Sequence, residues 1–154
     1  MHAMRKLAPA AAAVLAMTGA VTIADTGTAS AAGWGCSGSE VSDSPYPVVG
    51  PAGSVFSYVH LYWNGSTGKN CAVNVKTGAL YGTPTQTEIV LYQCAADTPA
   101  AGCSATLAAS DGGNFAYYAG PASIPGAGHC LVVQAWTDDT SGNEANFARG
   151  PFHC

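Results

Sequence analysis

Positive charge is scarce in this chain. Its 154 residues carry 5 Lys or Arg and 9 Asp or Glu. Two of the cations, Arg5 and Lys6, stand at the N-terminus, and beyond residue 31 only Lys69, Lys76 and Arg149 remain against eight acids, a net charge of −5. Such a surface cannot build the basic stripe that phosphate backbones and anionic lipids require, so neither nucleic acid nor a membrane surface is expected as a partner. A membrane-length apolar run is lacking too: Leu7 to Ala20 falls short of the roughly 20 residues a bilayer span needs, and Thr18 and Gly19 interrupt it. Past residue 31 there is no sustained helical period and no cap followed by an apolar stripe. No internal repeat or long linker divides the chain.

Catalytic signatures are also missing. There is no Gly-x-Ser-x-Gly, no recognisable Ser–His–Asp or Cys–His frame, and no His-x-His or His-Glu-x-x-His spacing. Carboxylate pairs for glycoside hydrolysis could be drawn from Glu40, Asp43, Glu88, Asp111 and Glu144, but any such choice is arbitrary. No catalytic residue, cofactor or metal is expected. His60, His129 and His153 read as ordinary strand and terminal residues rather than zinc ligands. Asp138 to Glu144 gathers three carboxylates with Asn143 and Gly142, yet lacks EF-hand spacing and reads as a solvated turn rather than a calcium loop.

What is present begins with an export signal. Arg5 and Lys6 precede the Ala-rich apolar run, and Ala29-Ser30-Ala31 forms a small-x-small cleavage site. Residues 1–31 are therefore expected to be a signal peptide, leaving a mature domain over 32–154, or 123 residues. All six cysteines follow the signal, and an even set in an exported chain this size points to three disulfides. Cys94 and Cys103 flank a turn-like segment and can meet across a hairpin mouth. Cys36 and Cys154 sit at the two ends of the mature chain, and domain termini are often close together. That leaves Cys71 with Cys130. Loop entropy would make the three closures worth roughly 2.6, 4.9 and 4.2 kcal/mol for the short, terminal and middle bridges.

Short β-branched and aromatic runs recur between Gly, Pro, Asn and Asp clusters. Ser54 to Trp63 is the clearest, and Asn64-Gly65-Ser66-Thr67-Gly68 turns it into a return arm, Cys71 to Val75. In that arm Cys71, Val73 and Val75 share one face, expected to be the core face, with Ala72, Asn74 and Lys76 on the other. Further strands are expected over Glu88 to Cys94, Ser104 to Ala109, Asn114 to Ala119, Cys130 to Trp136 and Ala145 to Arg149. Pro45, Pro47, Pro51, Pro84, Pro99, Pro121, Pro125 and Pro151 all fall between these runs. The expected fold is all-β, a single small disulfide-stapled sandwich or barrel of about seven short strands.

Along the first strand Phe56, Tyr58 and Tyr62 alternate on one face with His60 among them, while Val55, Val59, Leu61 and Trp63 take the other. A central strand covered on both sides is the plain reading. The alternative is that Phe56, Tyr58 and Tyr62 form a sugar-binding platform, extended by Trp34, Tyr117, Tyr118 or Trp136 if the fold brings them together. The disulfide-braced Cys94 to Cys103 loop could also serve as a rigid protease-inhibitory segment.

Several short landmarks cover nearly the whole mature chain: Cys36-Ser37-Gly38, Val55-Phe56, Gly68-Lys69-Asn70-Cys71, Tyr118-Ala119-Gly120-Pro121, Gly128-His129-Cys130 and His153-Cys154. Through them the chain resembles the spore-associated protein A family of secreted actinobacterial proteins. The resemblance implies export and association with the spore or cell exterior, and it implies no reaction. It also implies that Cys36, Cys71, Cys130 and Cys154 are the shared cysteines, with Cys94 and Cys103 an additional pair. The expected function is a non-enzymatic secreted component of the spore or cell exterior. The alternatives, in order, are a module binding cell-wall or spore-surface polysaccharide, a protease inhibitor and a small hydrolase.

Overall fold

The computed structural model describes residues 33–154; the expected signal peptide, residues 1–31, lies outside the described residues. Nine strands form a single sheet that curls into a nearly closed barrel: β1 (Ser39–Glu40), β2 (Tyr46–Val49), β3 (Val55–Asn64), β4 (Lys69–Lys76), β5 (Thr85–Cys94), β6 (Ala105–Phe115), β7 (Tyr118–Pro125), β8 (Leu131–Asp138) and β9 (Glu144–Phe152). The neighbour order is β6-β5-β8-β9-β2-β3-β4-β7, with β1 also on β3 and every pairing antiparallel. At the seam between β6 and β7 the backbone N–H of Gly120 donates to Asp111 Oδ2 at 2.7 Å, a side chain standing in for a ladder bond.

The period of two decides what fills the barrel. Register pairs stack Trp63 beside Asn70, Leu61 beside Ala72, Val59 beside Asn74 and Ser57 beside Lys76. On the neighbouring strands β5 and β8, Ile89 pairs with Ala135 and Leu91 with Val133, all pointing into the interior. The middle layers are apolar and fully buried. One end is instead filled by buried Ser57, Asn74, Lys76, Thr85, Thr87 and Thr137.

The β3–β4 hairpin forms where the pattern predicts it, and the face assignment of β4 is corrected. Ala72, Asn74 and Lys76 point into the barrel, while Cys71, Val73 and Val75 point outward. They are buried there by a second cluster with Cys36 and Tyr62, covered by Trp34 and Tyr118. Both faces of β4 are therefore buried, and parity alone could not say which was the interior.

Two strand expectations change as well. Asn114 to Ala119 is not one strand: β6 continues through Asp111-Gly112-Gly113-Asn114 to Phe115, residues 116–117 make the turn, and Tyr118 already begins β7. The Glu88 and Phe115 side chains lie over the bare backbone of those two glycines and supply the packing that they lack. The prolines are not all between strands: Pro47, Pro121, Pro125 and Pro151 lie within β2, β7 and β9. Pro121 and Pro151 each follow a glycine at a register shift, so the missing N–H falls where the ladder is already broken. Gly120 and Gly150 have φ of 118° and 135° and press their Cα against the neighbouring strand's backbone. A side chain fits neither place.

The disulfides are Cys36–Cys71, Cys94–Cys103 and Cys130–Cys154. The short pair is as expected, but Cys36–Cys154 and Cys71–Cys130 do not form. Cys71 faces outward on β4, three strands removed from β8, and those Cβ atoms cannot approach. Cys130 and Cys154 instead flank the Leu131–Phe152 register pair of β8 and β9. Cys36 ties the N-terminal segment across the outer face of β4.

Candidate functional site

The aromatic platform expected on β3 is largely covered. Phe56 is 9% exposed and belongs to the barrel core, and Tyr62 is 5% exposed beneath the N-terminal segment. Phe56 leaves the alternation because the β2–β3 register slips there. Tyr58 is half-buried. Trp34 packs on His60 at a tilt with ring centroids 4.7 Å apart, and Tyr117 packs edge-on to Tyr81 at 5.0 Å. Trp136 lies on a different face, so these rings are not brought together.

That different face is the outer surface of β5, β8 and β9. Outward residues Gln86, Glu88, Val90 and Tyr92 run along β5, Trp136 and Asp138 come from β8, and Glu144 from β9. Together they line a shallow groove of about 310 Å³. Glu88 pairs directly with Trp136, and Asp138 with Glu144. Trp136 and Tyr92 are half-buried. No cation lines the groove. Two like charges directly opposite on neighbouring strands cost stability. In the sequence Glu88 and Glu144 are only arbitrary carboxylates, because their meeting around Trp136 depends on β5 and β8 being neighbours although residues 95–130 separate them.

A second cavity, of about 400 Å³, opens at the barrel end opposite Lys76, where Trp63 and Asn70 face it from β3 and β4. At the closed end Lys76 is fully buried with no carboxylate bonded to it. Its ammonium donates to the Thr83 carbonyl at 2.6 Å, Thr85 Oγ1 at 2.5 Å and the Phe115 carbonyl at 2.9 Å. Burial lowers its pKa below the ordinary value, with the Asp138 charge opposing. Asn74 Nδ2 lies 3.0 Å from the Glu88 carbonyl, the Trp136 carbonyl and Thr137 Oγ1, while its Oδ1 is a buried acceptor without a partner.

The three histidines are engaged separately. His60 Nδ1 meets Glu40 at 2.7 Å, His129 Nδ1 meets the Cys94 carbonyl at 3.0 Å, and His153 Nε2 meets Asp43 at 3.1 Å and the Tyr46 hydroxyl at 3.2 Å. Arg149 also reaches Asp43, at 3.2 Å, and lies over the Tyr46 ring. Burial, and next the Asp43 carboxylate, push the Tyr46 hydroxyl far above its usual range. Among the described residues no three His, Cys, Asp or Glu side chains come together as a metal site. In the 138–144 turn, Asp139 accepts the backbone N–H groups of Ser141 and Asn143 and the Asn143 side-chain amide. Those bonds hold its carboxyl below the usual range.

The Cys94–Cys103 loop is exposed, but Pro99–Ala101 coils into a 3-10 turn. An inhibitory segment must enter a protease cleft as extended strand. Among the described residues, no helix is long and apolar enough to cross a membrane. Three disulfides in so small a domain are consistent with an extracellular protein. Comparisons with family models, curated proteins and solved structures find no match to this chain.

Proposed function

We propose that this is a secreted, non-enzymatic protein of the spore or cell exterior that holds polysaccharide on the outer face of β5, β8 and β9. The observation that carries the reading is the groove in which Trp136 and Tyr92 stand with Gln86, Glu88, Asp138 and Glu144. Aromatic rings offer flat apolar faces to the C–H faces of sugars, and the carboxylates and amide accept and donate hydrogen bonds to hydroxyls. About four residues of strand, some 13 Å, separate the level of Trp136 from that of Tyr92, which suits an extended chain rather than a single ring. The carboxylates repel anionic polymers and favour neutral or amino-bearing ones.

The test is co-sedimentation of oxidised 32–154 protein with spores, hyphal walls and neutral, amino-bearing and anionic insoluble polysaccharides. Saturable binding should weaken roughly tenfold in Trp136→Ala, about 1.4 kcal/mol, and stay unchanged in Tyr58→Ala. Equal binding by Trp136→Ala and the parent protein would refute the placement. The inhibitor reading has less support, since the loop tip is coiled.

A further inference from the structure

The mouth of the barrel is built differently from the outer face. Its inward row is Trp63 on β3, Asn70 on β4 and Ile124 on β7. Ile124 is buried, and the next layer, Leu61, Ala72 and Ala122, is packed solid and closes the cavity from below. Trp63 is 37% exposed and lines the cavity, while Asn70 is only 3% exposed. The Asn70 backbone carbonyl accepts the Ser123 hydroxyl at 3.1 Å, and its side chain lines the cavity.

Gly126 explains how the amide reaches the mouth. Asn70 Nδ2 occupies the space that a Cβ at position 126 would fill, and Trp63 Cζ3 lies 3.6 Å from the same point. The carboxamide and the indole thus border one volume. Val41 and the C-terminal His153 and Cys154 complete the rim, and the Cys130–Cys154 bridge ties that rim to the start of β8. No Asp, Glu, Lys or Arg lines the cavity, and the Nε2 of His153 is already engaged by Asp43 and Tyr46.

We propose that the barrel mouth is a second binding site, separate from the outer face, that takes one neutral sugar ring, either free or as the end of a chain. The ring stacks on Trp63. Asn70 supplies two N–H donors and one carbonyl acceptor from a single plane, matching a pair of adjacent hydroxyls or an N-acetyl amide. A volume of about 400 Å³ closed from below accommodates a terminus and not the middle of a polymer. With no Lys or Arg on its wall, the mouth offers no counter-charge to an anionic sugar, which would shed hydration without compensation.

The experiment follows the Asn70 side-chain amide and Trp63 indole N–H signals in spectra of ¹⁵N-labelled, oxidised 32–154 protein. Glucose and N-acetylglucosamine are the neutral probes, with glucuronate as the charged control. Both reporter signals should move saturably with at least one neutral sugar and need roughly tenfold more glucuronate. Trp136→Ala should leave this response intact, so the mouth stands or falls independently of the polysaccharide reading. Trp63→Ala should weaken binding at least tenfold. Gly126→Ala, which puts a methyl group where the amide sits, should abolish it while the remaining spectrum keeps its dispersion. A short oligosaccharide and its monosaccharide separate the two sources: equal affinity means a free ring suffices, and tighter oligosaccharide binding that still requires Trp63 means a chain end. Failure of both neutral sugars to move either signal, or responses confined to Trp136 and Tyr92, would overturn the proposal.

Discussion

Removing each disulfide as a Cys→Ala pair should destabilise the barrel in the order Cys36–Cys71, then Cys130–Cys154, then Cys94–Cys103. The bridges close loops of 35, 24 and 9 residues, for which loop entropy gives about 3.8, 3.5 and 2.6 kcal/mol. The first two values are close, and packing widens the gap. Cys36 and Cys71 are both buried in the cluster that covers the outer face of β4, whereas Cys154 is exposed. Losing the first bridge also frees the segment that carries Trp34 over Tyr62 and His60. Against a total stability of about 5–15 kcal/mol for a domain, each loss is a large share. In a chain of this size the melting midpoint should fall by roughly 10–20 °C for the first pair. Urea and thermal unfolding of the three paired variants measure the order, and peptide mapping of the oxidised parent checks the pairing. A Cys94/Cys103 variant as unstable as the Cys36/Cys71 variant would refute the reasoning, and so would a cross-linked peptide joining Cys36 to Cys154.

Lys76 gives the protein a pH signature. Burial lowers its native pKa below the ordinary 10.5. As pH rises through that lowered value the native state releases its proton while the unfolded chain keeps it. Stability conferred through this group therefore rises with pH until about 10.5. Tyr46 and Tyr62, both raised by burial, act oppositely above about pH 10, so the difference between parent and Lys76→Met in urea unfolding from pH 7 to 10 isolates the lysine; identical slopes would exclude it. Glu144→Lys turns the Asp138–Glu144 like-charge pair into an opposite one and should stabilise by about 0.2–1 kcal/mol at low salt, with the gain shrinking as salt is added; the same variant should lose affinity for amino-bearing polysaccharide. Gly150→Ala forces a Cβ against the Leu131 carbonyl at φ 135°. It should cost about 1–3 kcal/mol by thermal unfolding, while Gly53→Ala, at φ 80° but with open space around it, should cost less.

Much of the fold was legible because its signals are local. Strand alternation, the Asn64 to Gly68 turn and the closeness of Cys94 and Cys103 along the chain each depend on a few neighbouring residues, and these led to an all-β, disulfide-stapled barrel or sandwich. The low cation count likewise needs no structure to interpret. The two glycine–proline bulges escaped notice because proline ordinarily marks the end of a strand. The Asp-Gly-Gly-Asn stretch of β6 reads as a turn until Glu88 and Phe115 are seen lying over it.

Composition and local pattern determined the class of this protein: disulfide-stapled and all-β, without a recognisable catalytic motif. The tertiary structure alone decided how Cys36, Cys71, Cys130 and Cys154 pair, which face of β4 is interior and which aromatic rings stay open. Each of those depends on what lies several strands away. Parity along a strand divides its residues into two sets, but when both sets are apolar only the neighbouring strands say which one the barrel encloses. For that reason Phe56 and Tyr62 are buried, while Trp136 and Tyr92 line an outer groove and Trp63 opens beside Asn70 at the mouth.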